Sequence, residues 1–327
     1  MKKRILTAVL AAALVTGTCA ATVSAKEEKT YTIGICQLVQ HDALDAATKG
    51  FEDAITEKMG DSVKFDEQNA QGDSNTCSTI INSFVSEGAD LILANATASL
   101  QAAAAGTSDI PILGTAVTEY GVALGIDDFD GTVGGNISGT SDLAPLDEQA
   151  DMLHELFPDA KNVGLLYCSA EPNSQYQVDT VKDALEKLGY TCEDYAFSDS
   201  NDLSSVVTTA ANDSDVIYAP TDNTVASNTE IINNICLPAK VPVIAGEEGI
   251  ARHVVLQHFP SATMILDTKP AKWQSASFRM VKISPKCRLN MHQNSQKNTT
   301  KTSVTSLVLK FRMDMKQSKQ IKQLNNR

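Results

Sequence analysis

The stretch Val163-Gly164-Leu165-Leu166-Tyr167-Cys168-Ser169-Ala170-Glu171-Pro172-Asn173-Ser174-Gln175-Tyr176-Gln177-Val178 decides the fold. It opens as a buried strand, with Val163, Leu165, Leu166 and Tyr167 apolar, and breaks at Ala170-Glu171-Pro172. Asn173 and Ser174 are good helix caps, and an amphipathic run continues through Val178, Val181 and Leu185. A parallel strand feeding a helix leaves free backbone N–H groups and the positive end of a dipole at its carboxyl edge. In open α/β sheets ligands bind at that edge. The device recurs along the chain, which therefore reads as a ligand-binding protein.

Working outward, the residues before this stretch repeat the alternation of strand and helix. Strands are expected over 31–39, 63–68, 89–94 and 110–115, each followed by a loop and an amphipathic run. After it come strands over 191–196, 216–219 and 241–245, with helices between. This grammar predicts an α/β protein of two doubly wound parallel-sheet lobes, joined by a hinge, with a ligand cleft between their carboxyl edges. Lobes are expected over 26–138 and 139–245. The Gly-rich passage from Gly131 to Gly139 matches neither GxGxxG nor a P-loop and reads as a flexible crossing or hinge. Two lobes on a hinge suit a protein that closes on its ligand.

The chain of 327 residues has room for two ordinary domains. Residues 1–25 read as an export signal: Lys2, Lys3 and Arg4, an apolar run from Ile5 to Val15, and a small-residue site at Val23-Ser24-Ala25. The protein is expected outside the cytoplasm, periplasmic or extracellular, with lipid anchoring through Cys19 as the alternative to simple cleavage. The seven cysteines show no CxxC and no zinc spacing. Cys36 and Cys168 read as small buried hydrophobes, and nothing in the sequence chooses a disulfide pair. No cofactor or metal is implied. An exported hydrolase is the enzyme alternative, but neither GxSxG nor HExxH occurs.

Charge is unevenly placed. Residues 1–250 carry 12 Lys+Arg against 38 Asp+Glu, and the rest carries 15 against 2. The acidic body argues against nucleic acid as its partner. From Ala251 onward the periodicity is lost, Pro260, Pro270 and Pro285 punctuate the chain, and Met291–Arg327 has the composition of a disordered segment. Residues 246–327 are thus expected to be an aberrant basic tail.

An ordered set of short motifs carries a resemblance across residues 31–249. They are Gly34-Ile35-Cys36-Gln37 with His41-Asp42-Ala43-Leu44-Asp45, Asn69-Ala70-Gln71-Gly72-Asp73, Ala96-Thr97, Ile110-Pro111 and Ala116-Val117-Thr118. Gly139-Thr140-Ser141-Asp142, Glu171-Pro172-Asn173-Ser174, the run Pro220–Ser227, Val241-Pro242 and Ala245-Gly246-Glu247 complete it. This set resembles the extracytoplasmic substrate-binding proteins of ABC transporters, of type I periplasmic-binding-protein fold. Within them it is similar to the branch with tryptophan- and tyrosine-binding members. The resemblance implies a monomeric, non-enzymatic solute receptor for an amino acid of the aromatic class, delivering it to a membrane permease. A sensor docking on a membrane receptor shares the same fold.

By that resemblance the cleft is lined by Gln37, His41, Thr97, Thr118, Ser141, Asp142, Asn173, Ser174, Asp222 and Glu247. Hydroxyls and helix-terminal amides at Thr97, Thr118 and Ser174 suit a carboxylate. Asp142 and Asp222 suit an ammonium group. The bland alternatives are helix caps at Ser141, Asn173, Ser174 and Asp222, and a solvated loop residue at His41. Tyr120, Tyr167, Tyr176 and Tyr218 are the candidates for stacking on an aromatic ligand.

The resemblance stops at Ala251. Read one base earlier, codon degeneracy lets Cys287–Lys301 encode M-P-V-E-Y-A-P-K-F-T-K-K-Y-N-K and Ser261–Leu266 encode S-Y-Y-D-L, both resembling the family's end. A frameshift near Ile250–Ala251 is therefore expected. It accounts together for the charge jump, the lost periodicity and the Lys/Gln/Asn-rich tail. The rival is a genuine basic tail that binds anionic cell wall or nucleic acid.

Overall fold

The computed structural model describes residues 30–255 and the two-residue strand Arg279–Met280. The export signal with Cys19, and the tail from Met291, lie outside the described residues.

The first lobe runs β1 (Tyr31–Gln37), α1 (Asp42–Met59), β2 (Val63–Asn69), α2 (Ser74–Glu87), β3 (Leu91–Asn95), α3 (Thr97–Gly106), β4 (Ile112–Val117), α4 (Tyr120–Leu124) and β5 (Ile137–Ser141). The second runs α5 (Leu146–Leu156), β6 (Asn162–Cys168), α6 (Pro172–Lys187), β7 (Thr191–Phe197), α7 (Ser200–Asp213), β8 (Val216–Ala219), α8 (Asn223–Ser227), α9 (Thr229–Ala239), β9 (Val243–Ala245) and α10 (Glu248–Ile250). A π-helical turn over Ala251–Val255 and β10 (Arg279–Met280) follow.

Each lobe is a parallel sheet, in order β5-β4-β3-β1-β2 in the first and β7-β6-β8-β9 in the second. β10 adds antiparallel to the outer side of β5, Arg279 opposite Ser141. The winding is the same in both: the opening strand lies between the second and the third. That order puts a topological switch point at the ends of β1 and β3, and another at the ends of β6 and β8. Ligands bind outside such points.

The central strands are mainly apolar because helices cover both faces, with polar Gln37 and Asn95 at the carboxyl ends of β1 and β3. All five residues of β3 and all four of β8 are buried. One face of the first sheet packs Ile81, Phe84, Leu100 and Ile112. The other packs Ile35, Phe51, Ile55 and Leu93. Each fully buried side chain of this size contributes about 1.5–3 kcal/mol. Helix ends follow local chemistry. Asp73 accepts from the Thr76 N–H at 2.6 Å to start α2, and Gly88, in the left-handed region, ends it.

Three expectations move. The first sheet extends to Ser141, past the boundary expected at 138, and Gly139 is a packed strand residue, not a flexible hinge. A Cβ there would sit 2.2 Å from both the Gly114 carbonyl oxygen and the Tyr120 hydroxyl. Among the described residues, the chain passes from the first lobe to the second over the short segment 142–145. The helix expected over 225–235 is two, α8 and α9, parted at Asn228. The order expected to fail at Ala251 lasts one turn longer. Glu247 caps that turn, and Ile250, Ala251 and Val254 fall on one face and bury in the second lobe's core.

Candidate ligand-binding cleft

The first switch point is closed mainly by amides and hydroxyls, with the Asp45 carboxylate at its edge. Gln37, 2% exposed, donates to Asp45 Oδ1 at 2.7 Å and to the Val39 carbonyl. Its Oε1 accepts from Thr48 Oγ1 at 2.7 Å, and Asn95 Nδ2 donates to the Leu44 carbonyl and to Thr48. Gln37 is thus a brace between β1 and α1. The loops beside it are bent: Ala96 has φ 90° and Ala116 φ 51°, in the region that L side chains seldom visit. Such outliers mark sites where the backbone is aimed for a purpose. Buried Thr97 opens α3 behind the first, and buried Thr118 follows the second.

The second switch point is closed by carboxylates. Buried Asp222 accepts from the Cys168 N–H at 2.7 Å and the Val225 N–H at 2.8 Å, and from the Ser174 hydroxyl. It caps α8, so the cap reading holds for this residue. Burial, reinforced by the neighbouring Glu171 carboxylate, pushes Asp222 up to about 8 against the hydrogen bonds that favour its anion. Glu171 accepts from the N–H and side chain of both Asn223 and Thr224, at 2.7–3.1 Å. Asn173 Nδ2 contacts Glu171 Oε2, Ser174 Oγ and the Thr221 carbonyl. That set fixes its amide orientation and leaves Oδ1 buried with no hydrogen-bond partner.

Between the lobes stands Asp142, the first residue of the crossing. The Thr118 side chain hydrogen-bonds its carboxylate, while Oδ1 is buried without a hydrogen-bond partner. Burial pushes this carboxyl up to about 6, with Glu247 adding repulsion. Ser141 donates to the Thr118 carbonyl at 2.7 Å and accepts from the Leu143 N–H, shaping the crossing. Glu247 is half-buried and spends both oxygens on the Gly249 and Ile250 N–H groups.

The lobes touch across the cleft. His41 Nε2 donates to Asn223 Oδ1 at 3.2 Å, a direction set by Asn223 Nδ2, which already donates to Glu171. α4 packs against α6 on the other side. Of the expected residues, His41, Asp142 and Asn173 keep a polar atom directed at the other lobe or left unpartnered. Gln37, Ser141, Asp222 and Glu247 are held by structural bonds. Glu171, Asn223 and Thr224 were missed as participants, although they sit in motifs quoted for the resemblance. The four tyrosines are not a stacking platform: all pack into the lobes' own cores. Tyr120 and Tyr218 are 1% and 0% exposed, and their hydroxyls donate to the Thr140 carbonyl and Gln149.

The family model described as ABC transporter substrate binding protein matches residues 32–255. The chain belongs to this family. It is 41% identical over 225 residues to the tyrosine-binding protein of Clostridioides difficile (strain R20291). That match covers 68% of this chain and 65% of the relative, so the chain spans just under two thirds of its length. Among solved structures, a Streptococcus pneumoniae ABC domain in complex with L-Trp is 30% identical, with TM-score 0.66. A ligand-free, open substrate-binding protein with adhesive properties from Clostridium difficile is 36% identical, with TM-score 0.50. Each comparison covers 78% of this chain and 90% of the other. The fold is that of the type I periplasmic binding proteins. Substrate-binding proteins of ABC importers work outside the cytoplasm and bind solutes without transforming them.

Proposed function

We propose that the protein is the extracytoplasmic solute-binding component of an ABC importer, binding an amino acid by closing its lobes and presenting it to a membrane permease. The observation that carries this is that Asp142, where the chain leaves the first lobe, and Asn173, at the start of α6 in the second, each keep a buried Oδ1 without a partner, as does Asn95 at the end of β3. An acceptor left unpaired in a buried place costs about 1–3 kcal/mol, and a ligand ammonium group recovers it. This refines the expected roles: the amino group goes to Asp142 and Asn173, not to Asp222. Thr97, behind the bent Ala96 loop, supports a carboxylate at the N-terminus of α3.

Aromatic specificity rests on the relatives, since the tyrosines here are core residues. The higher likeness to the L-Trp complex than to the open relative, at equal coverage, supports reading this lobe arrangement as the closed one. Release from the membrane after signal cleavage, rather than lipid anchoring at Cys19, is our reading of the leader.

We also infer that the reading frame shifts near Ile250–Ala251, and that the restored chain is the competent receptor. A thermal-shift screen of the twenty amino acids tests both, on this chain and on the frame-restored one. Ligands that bind only the native state raise the Tm. A rise with tryptophan, tyrosine or phenylalanine in the restored chain alone supports receptor and frameshift together. A rise in neither chain overturns the amino-acid assignment, and an intact single frame in independent isolates overturns the frameshift.

A further inference from the structure

The sequence offers no basis for pairing its cysteines, but the fold brings two together. Cys36 lies on β1 and Cys77 one turn into α2, where the helix crosses that strand. Both are 0% exposed. Cys36 Sγ is 3.5 Å from Ser99 Oγ and Cys77 Sγ is 3.6 Å from the same oxygen, so one hydroxyl joins the two thiols. Among the described residues no hydrogen bond joins Cys168, Cys192 or Cys236 to another cysteine; Cys168 Sγ meets the Ser198 carbonyl and the Thr224 side chain.

We propose that Cys36 and Cys77 are a disulfide-forming pair that locks α2 onto β1 when the chain folds against an exogenous disulfide. The extracytoplasmic placement argued above supplies the oxidising setting; the chemistry itself does not depend on the ligand.

Before α2 docks, either cysteine, as its thiolate, displaces one sulfur of the oxidant, a small-molecule or protein disulfide, forming a mixed disulfide and releasing one thiol. The other, its proton passed to solvent, then attacks the protein sulfur of that mixed disulfide and expels the second thiol. The two protein thiols lose two electrons, the oxidant's S–S bond gains them, and the two protons end on the released thiols. Because both sulfurs are sealed in the native core, the exchange precedes docking of α2.

The test refolds the full chain from urea, with oxidised glutathione or with dithiothreitol, followed by alkylation, intact mass and a non-reducing peptide map. The expected oxidised product carries two fewer alkyl groups than the reduced one and yields one linked peptide joining Cys36 to Cys77. Its Tm exceeds the reduced form's by roughly 5–10 °C, and dithiothreitol in denaturant abolishes the gain. Full alkylation of both residues after oxidative refolding overturns the proposal, as does linkage of either to another cysteine. The Cys36→Ser variant should lose the linked peptide, and should it fail to fold, the wild-type map still decides.

Discussion

At the first switch point the space beyond β1 and β3 is filled by Gln37, Thr48 and Asn95, uncharged groups bonded to one another, with Asn95 Oδ1 left buried and unpaired. At the second, beyond β6 and β8, the same position is filled by Glu171, Ser174 and Asp222, two carboxylates within one buried network. The winding is common to the two sheets, so topology chose where the cleft lies, while side-chain chemistry makes its walls different. The neutral wall is a fixed brace whose neighbouring loops carry the backbone strain at Ala96 and Ala116. In the acidic wall burial and the Glu171 charge raise the Asp222 carboxyl, and Asn223 reaches back to His41 on the other lobe.

Removing a wall should expose that difference most. Asp222→Ala strands the buried N–H groups of Cys168 and Val225, and should cost roughly 3 kcal/mol in urea unfolding at pH 7. Gln37→Ala, which leaves smaller neutral groups able to regroup, should cost roughly 2 kcal/mol. A larger loss for Gln37→Ala would mean that the neutral brace is the stricter element.

Backbone proximity comes next. Gly139→Ala drives a methyl into the Gly114 carbonyl and the Tyr120 hydroxyl and should cost about 1–3 kcal/mol. Gly50→Ala, inside α1 with nothing within 4 Å of the added carbon, should be neutral or stabilise by about 0.5–1 kcal/mol. Equal effects at the two would return the Gly131–Gly139 passage to a flexible hinge.

The acidic wall also predicts a pH signature. Asp222, raised to about 8, and Asp142, raised to about 6, bind more protons folded than unfolded above the ordinary carboxylate range. Their contribution to stability is therefore full below that range and falls as pH rises through about 6 and then about 8. Unliganded protein should gain Tm on acidification from pH 8.5 to 6, and Asp222→Asn should flatten that slope. A wild-type profile already flat would remove the buried proton from the account. Smallest of all, His41→Ala should change global stability by under about 1 kcal/mol. It should instead shift small-angle scattering of the unliganded protein toward a larger radius of gyration, and an unchanged curve would show that the His41–Asn223 contact does not hold the lobes.

Most of the fold was legible because its signals are local and repeated: apolar strands such as Leu91–Asn95, capping residues such as Asp73, and Gly88 at a helix end. What escaped depended on distant partners. β5 carries Gly139 for close packing against Tyr120, and in sequence the same glycine reads as flexibility. α4 is one turn long and leaves no periodicity. In the site, the expected residue types sit on loops at the two switch points, but Asp142 and Asp222 look alike on paper. Only geometry separates a carboxylate whose oxygens are already committed to Cys168 and Val225 from one with an unpaired oxygen.

That distinction is the central claim, and calorimetric titration at pH 7.5 tests it most directly. The frame-restored chain and its Asp142→Asn variant would each be titrated with the amino acid found by thermal shift and with its des-amino analogue. The account predicts heat of binding only for the amino acid on the unaltered chain, with affinity falling at least tenfold in Asp142→Asn and again as pH drops below about 6. Equal binding of the des-amino analogue, or undiminished affinity in Asp142→Asn, would contradict it.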